Sequence, residues 1–113
     1  MCRHRETSTF YAIKEIPKAV IRKNCLEKQL TWEVKIQMFF DHVNIVKLYG
    51  FFADTTNVYL LMEYMEGGTM FDYLKKQNGK GLPEEEVCKR MREVCSAVYY
   101  MHDLQVAHRD IKP

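Results

Sequence analysis

The 113-residue sequence has almost no net charge: seventeen Lys and Arg against fifteen Asp and Glu leave a formal +2 at pH 7. So slight an excess, with no basic block, argues against a nucleic-acid partner. No apolar stretch approaches membrane-spanning length, and the polar opening Arg3-His4-Arg5-Glu6-Thr7 is unlike a secretory leader. No membrane role follows from this chain. The four cysteines, Cys2, Cys25, Cys88 and Cys95, are scattered, and no pair has the short spacing of a zinc site. Cys88 and Cys95 stand at helical spacing, which predicts buried thiols. Unpaired thiols suit a reducing compartment, the cytoplasm or nucleus. His4 and His102 have no companion ligands, so no metal site is expected. What the chain does have is apolar bulk, 47% of its residues, ample for a core and far from a disordered composition. Its length fits one small domain or part of a larger one, and both ends look cut, so a piece of a longer protein is expected.

The first ordered signal is Phe10-Tyr11-Ala12-Ile13-Lys14-Glu15-Ile16, whose alternation and aromatic and β-branched content predict a strand. Lys14 shares a face with Phe10, Ala12 and Ile16. A strand lysine ordinarily faces solvent, and by pattern alone Lys14 reads that way. From Cys25 to about Phe40 there is no Gly or Pro, which predicts a helix. Leu26, Leu30, Glu33 and Gln37 recur at i, i+4, i+7 and i+11 along one side of it. Glu33 therefore sits in a stripe that opens with leucines. A carboxylate there needs a cationic partner, with Lys14 the obvious one, or else marks the stripe's solvent edge.

After Asp41-His42-Val43-Asn44 comes the strand-like run Ile45–Phe52. Asp54-Thr55-Thr56-Asn57 is turn chemistry, and Val58–Met62 is a short apolar strand, so a hairpin is predicted. Glu63-Tyr64-Met65-Glu66-Gly67-Gly68 then turns the chain toward a helix beginning near Thr69, which Asn78-Gly79-Lys80-Gly81 ends. Leu82-Pro83-Glu84-Glu85-Glu86 opens a further helix, with Pro and three acids in its first turn. Val87, Met91, Val94, Val98 and Met101 recur at helical spacing and predict a core stripe. That helix ends near His102-Asp103 and hands the chain to Val106-Ala107-His108-Arg109-Asp110-Ile111-Lys112-Pro113. Pro113 disfavours helix at Lys112, so a loop is predicted there. A carboxylate between two cations in a loop is by itself a weak signal.

Taken together these stretches resemble a eukaryotic protein kinase domain of the serine/threonine type. His108-Arg109-Asp110-Ile111-Lys112-Pro113 is similar to the family's catalytic loop, and Ala12-Ile13-Lys14 to its Val-Ala-Ile-Lys motif, with Tyr11 in place of Val. The nineteen-residue step from Lys14 to Glu33 is similar to the family's lysine–glutamate pair. His42-Val43-Asn44-Ile45 is similar to His-Pro-Asn-Ile, and losing that Pro is expected to loosen the loop. Gln29–Gln37, Asn44–Phe52 and Asn57–Tyr64 look most like the Aurora kinase group.

The resemblance implies an α+β fold. Residues 1–62 would form a partial small lobe, an antiparallel β-sheet with the helix the family calls αC, lacking the glycine-rich loop. Residues 63–68 would be the hinge, and 69–113 the first helices of an α-helical large lobe, ending in the catalytic loop. It implies ATP and Mg2+ as cofactors, with the metal ligands beyond Pro113. Lys14 would hold the ATP phosphates and Glu33 would fix Lys14 through a structural ion pair. Ala12 would belong to the ATP site, Met62 would guard the pocket behind the adenine, the Glu63 carbonyl and the Met65 amide and carbonyl would face adenine, and Thr69 would lie near the ribose. Asp110 would be the base, Lys112 would contact the transferring phosphate, Arg109 would be regulatory, and His108 would pack rather than titrate.

Implied partners are protein substrates with Ser or Thr hydroxyls, with regulatory proteins besides. An Aurora-like role would be mitotic, at the spindle or centrosome. The segment alone is expected to be inactive. The alternative is a pseudokinase or regulatory kinase-like module that binds without catalysis, which the presence of Lys14, Glu33 and Asp110 argues against.

Overall fold

The computed structural model describes residues 1–5, 7–77 and 81–112. Asn78, Gly79 and Lys80 of the expected helix stop, and the Pro113 of the expected loop, lie outside the described residues. The order of elements is β1 (Cys2–Arg3), β2 (Phe10–Pro17), α1 (Lys18–Lys23), α2 (Glu27–Phe39), β3 (Leu48–Ala53), β4 (Asn57–Glu63), α3 (Met70–Lys76) and α4 (Glu84–Asp103). The chain divides into two compact units, Met1–Asp41 with Val46–Met65, and His42–Ile45 with Glu66–Pro113.

In the first unit the strands form one antiparallel sheet in the order β1-β2-β4-β3. Lys14 stands opposite Leu60 and Ala12 opposite Met62. The β3–β4 hairpin is closed by Asp54. Its Oδ1 accepts from the Thr56 and Asn57 amides at 2.7 and 2.6 Å, and its Oδ2 accepts from the Tyr59 hydroxyl at 2.9 Å. Those donors hold the Asp54 carboxyl down to about 2, the Asn57 amide contributing most. A bulge between Leu48 and Gly50 shifts the register at the start of β3.

Val34 of α2 is buried against Leu48 and Leu60 of the sheet, and Ile16, Leu30, Val58 and Met62 pack around them. Gln37 donates Nε2 to the Val46 carbonyl at 2.6 Å and ties the end of α2 to the chain entering β3. α1 was not foreshadowed by periodicity, because six residues are too few to show it. It follows Pro17 directly and buries Ile21. Cys25, in the left-handed region at φ 53°, donates its N–H to the Arg22 carbonyl, and Leu26 donates to Ile21. This two-bond stop ends α1 and lets α2 start at once. β1 was also not foreshadowed; two residues carry no pattern.

In the second unit α4 buries Ala97 and Met101. The expected core stripe is corrected here. Val87, Met91 and Val94 are exposed, Met91 by 52%, while Val98 is half-buried. Met101, the last member of the stripe, is buried together with Ala97, so cover reaches only the C-terminal end of the stripe. Cys88 and Cys95 lie roughly opposite Ala97 on the helix and are exposed free thiols, not the buried ones expected. The loop His42-Val43-Asn44-Ile45 is held without its proline. The His42 ring takes the Asn44 amide on Nδ1 at 3.1 Å, bonds Ser96 Oγ through Nε2 at 3.1 Å, and lies 5.1 Å from the Tyr100 ring.

Candidate active site

Two groups of predicted site residues can be described, one in each unit. In the first, Lys14 projects from the face of β2 that packs toward α2. Its pairing with Leu60 makes this unavoidable, since Leu60 is buried under Val34. Lys14 and Glu33 line the same open cleft of about 320 Å³, together with Leu26, Gln29 and Leu30. They do not form the expected ion pair. Among the described residues four ion pairs close within 4.0 Å, and Lys14–Glu33 is not among them. The reason lies in α2: Leu30 and Val34 turn inward, and Glu33 falls at the flank of that stripe, exposed. Its solvent-edge alternative is the one realised, with the carboxylate facing the cleft. The Lys14 ammonium makes no hydrogen bond or ion pair among the described residues.

Ala12 and Met62 face each other across β2 and β4, both half-buried, and Met62 touches the core cluster. Glu63 donates its amide to the Lys47 carbonyl at 2.8 Å, and its Oε2 accepts from the Lys47 amide at 3.1 Å. Its side chain thus fastens the end of β4 to the start of β3. Met65 follows outside any strand, and neither its amide nor its carbonyl is hydrogen-bonded among the described residues.

In the second unit Thr69 is the N-cap of α3. Its Oγ1 accepts from the Asp72 amide at 3.1 Å and donates to Asp72 Oδ2 at 2.6 Å. Gly68, at φ 72°, supplies the left-handed turn before it. The exit from α4 is a second two-bond stop: Gln105, at φ 60°, donates to His102 and Val106 to Met101. Beyond it, Arg109 holds φ 67°, a conformation uncommon outside Gly and often kept where function demands it.

That turn at Arg109 folds the loop on itself. The Asp110 amide donates to His108 Nδ1 at 3.1 Å, and Lys112 Nζ donates to Asp110 Oδ2 at 2.9 Å. His108 is exposed, so it orders the loop by accepting this bond and not by packing. Asp110 and Lys112 are themselves 74% and 72% exposed at their side chains. The Lys112 hydrogen bond and charge, with a smaller share from His108, hold the Asp110 carboxyl below its ordinary value. At neutral pH the group is an ionised acceptor, able to take a hydrogen bond from a hydroxyl. Sequence reasoning missed the His108–Asp110 backbone bond, which a His two residues before an Asp does not announce.

The protein kinase domain model matches residues 1–113. The chain belongs to the protein kinase domain family. Among its relatives, mouse "Serine/threonine-protein kinase DCLK3" is 39% identical over 99% of this chain and 14% of the relative. Mouse "Aurora kinase C" is 37% identical over 100% of the chain and 40% of the relative. The "Aurora kinase" of Saccharomyces cerevisiae is 39% identical over 98% and 30%. The chain thus spans well under half the length of these relatives. Within the family, the four-stranded antiparallel sheet with α2 corresponds to the kinase small lobe, and α3 and α4 to the start of the large lobe.

A kinase domain generally uses ATP and Mg2+. The unengaged Lys14 ammonium in its cleft suits a phosphate group, and the unengaged Met65 amide and carbonyl suit the edge of a purine. Magnesium is different: among the described residues no group of three or more His, Cys, Asp or Glu converges, and Asp110 is tied to Lys112. These residues by themselves do not make a magnesium site.

Proposed function

We propose that this chain is the catalytic-loop-bearing part of an ATP-dependent serine/threonine protein kinase that phosphorylates protein Ser and Thr hydroxyls. The observation that carries it is the ordered, ionised Asp110, held by His108 through its amide and by Lys112 through its carboxylate. A carboxylate with a lowered pKa is a weak proton acceptor, so Asp110 serves first to orient the substrate hydroxyl. Lys112 neutralises charge beside it, and contacts the transferring phosphate once released from Asp110. Bound ATP supplies the phosphoryl group. Lys14 holds its phosphates, Glu33 fixes Lys14 once α2 rolls inward to close the pair, Ala12 lies at the base, Met62 guards the pocket behind it, and the Glu63 and Met65 backbone and Thr69 bind its purine and ribose ends. Arg109 meets a phosphorylated regulatory segment. Residues 1–62 act as small lobe, 63–68 as hinge and 69–113 as the start of the large lobe. From the Aurora-like resemblance we infer a mitotic role for the parent protein, at the spindle or centrosome.

The test is γ-phosphate transfer from Mg·ATP to a Ser/Thr peptide by the parent protein that carries this segment. Asp110→Asn should lower kcat by about 100-fold or more, and Lys14→Met should raise KM for ATP. An unchanged kcat in Asp110→Asn would sink the reading. The 113-residue chain by itself is expected to transfer no phosphate.

The open separation of Lys14 from Glu33 favours a second reading, a kinase-like module that binds without catalysis. Nucleotide binding by the parent protein, without transfer to any Ser/Thr peptide, would decide for it.

A further inference from the structure

The serine and threonine hydroxyls of the chain are not equally engaged. Thr31 Oγ1 donates to the Glu27 carbonyl inside α2 at 2.8 Å, and Ser96 Oγ, inside α4, lies 3.1 Å from His42 Nε2. Thr56 Oγ1 donates to Asp54 and Thr69 Oγ1 to Asp72. Thr7 Oγ1 donates to Thr9 Oγ1 at 2.9 Å and also lies 3.2 Å from His4 Nδ1. Ser8 and Thr55 differ: both are exposed, and their hydroxyls make no hydrogen bond among the described residues. Ser8 stands in the turn between β1 and β2. Two backbone bonds close that turn, from the His4 amide to the Thr9 carbonyl at 2.8 Å and from the Ser8 amide to the His4 carbonyl at 3.0 Å. Ser8 holds φ 58°, where an L side chain crowds its own carbonyl. β1 is two residues long and lies at the edge of the sheet. A turn with so few bonds and a strained residue opens locally at little cost, and exposed tips of this kind are where enzymes gain access to a folded chain.

Charge separates the two free hydroxyls. Arg5 stands three residues before Ser8 and Arg3 five, with His4 between them, and all three are exposed. Thr55 directly follows Asp54, and the stretch Gly50–Asp54 before it has no cation. The charges beside an acceptor hydroxyl decide which kinase takes it. Guanidinium groups dock bidentately on carboxylates, so Arg3 and Arg5 suit an enzyme whose substrate groove is acidic. We propose that Ser8 is the phosphoacceptor for a separate, arginine-directed serine/threonine kinase, with Mg·ATP as the phosphoryl donor. The bond from Ser8 Oγ to the γ-phosphorus forms as the bond from that phosphorus to the β–γ bridging oxygen breaks. ADP leaves with the electron pair, and the hydroxyl proton passes to a base of the modifying enzyme and on to water. Arg3 and Arg5 against Glu6 leave residues 3–8 at +1, and a phosphate of about −1.5 to −2 at pH 7 reverses that sign. The proposal stands apart from the nucleotide reading and uses none of its residues.

The test incubates the 113-residue chain with Mg·ATP in three parallel reactions. One contains an arginine-directed kinase (the catalytic subunit of cyclic-AMP-dependent protein kinase), one an acid-directed kinase (casein kinase), and one no added kinase. Tandem mass spectrometry locates the phosphate. The arginine-directed kinase should place a single phosphate on Ser8, and the other two reactions should place none there. Arg5→Ala should lower kcat/KM for this labelling about tenfold, and Arg5→Lys should recover part of the loss. Ser8→Ala should leave the chain unlabelled. Circular dichroism checks that these surface variants keep the fold. No phosphate on Ser8, a preference for Thr7, Thr9 or Thr55, or a rate indifferent to both Arg3→Ala and Arg5→Ala would overturn the proposal. So would equal labelling of Ser8 by the acid-directed kinase. Labelling of Ser8 with no kinase added would overturn the separate enzyme and assign the step to the chain itself.

Discussion

Lys112 reaches back two residues to hold Asp110 through a 2.9 Å bond from Nζ to Oδ2. The contact stabilises the carboxylate over the carboxylic acid, which is why Asp110 titrates below its ordinary value. It also occupies the Lys112 ammonium. Lys112→Ala should therefore let the Asp110 pKa rise toward that of an isolated carboxylate. Carboxyl-resolved NMR titration of the two proteins checks this. If Asp110 titrates identically in both, the Lys112 contact does not persist in solution. As the folded pKa is the lower one, any stability from this contact is present above the unfolded value and is lost as pH falls through the folded value.

Asp54 gives a second pH signature, in the other unit. Its carboxyl is held at about 2 by the Asn57 and Thr56 amides and the Tyr59 hydroxyl. The folded value lies below the unfolded one, so its contribution is complete at neutral pH and disappears as pH falls through about 2. Far-ultraviolet circular dichroism during acid titration should show the sheet of the wild type weakening in that range. In Asp54→Asn the same portion of the curve should be flatter, and the Tm at neutral pH lower. A wild-type curve that superimposes on that of Asp54→Asn would contradict the hairpin lock.

Core position and exposed stripe can be separated by truncation. Leu60 is buried with Val34 and Leu48, so Leu60→Ala should cost about 2–5 kcal/mol in urea unfolding. Met91, on the apolar stripe of α4, is exposed. Met91→Ala should change stability by no more than about 0.5 kcal/mol. Equal losses at the two positions would mean that α4 buries the stripe after all.

The contrast between Leu60 and Met91 shows what was legible in the residues. Alternation from Phe10 to Ile16 marks β2 because one pleated face must be buried, and Asp54–Asn57 marks the β3–β4 turn through the Asp54 side chain's own hydrogen bonds. Helical period likewise marks α2 and α4. Period cannot say how far a face is covered, because coverage is set by other elements; Met91 and Cys88 were misjudged for that reason. Nor does the spacing from Lys14 to Glu33 contain the orientation of α2, which depends on where Val34 finds its cavity under Leu60. α1 and β1 are too short to leave a pattern. Of the candidate site, the residue types and their order can be read, while the bonds among them, such as Asp110 to His108, are products of a loop geometry fixed by Arg109.

The two helix stops at Cys25 and Gln105 are strained in a way that a single substitution relieves. Both residues hold positive φ, 53° and 60°, where an L side chain crowds its own carbonyl. Glycine takes that conformation without the clash. Cys25→Gly and Gln105→Gly should each raise unfolding stability by about 1 kcal/mol. Thermal or urea unfolding reads this directly, and a loss of stability in both would mean that the side chains contribute more than the strain removes.

Lys14 and Glu33 supply the last test, because they share a cleft without touching. An ion pair within reach of solvent couples its members by a few tenths to one kcal/mol, and an unmade pair by nothing. Removing either charge should then be independent of the other. In a double-mutant cycle of Lys14→Met and Glu33→Gln, the coupling energy for unfolding of the nucleotide-free chain should fall below about 0.3 kcal/mol. The physical reason is the direction of α2: Leu30 and Val34 cannot stay under the sheet while the helix rolls to bring Glu33 inward, so closing the pair means repacking that core. A coupling near 1 kcal/mol would show that the helix makes this roll spontaneously, and that the separated arrangement is a minor state of the chain in solution.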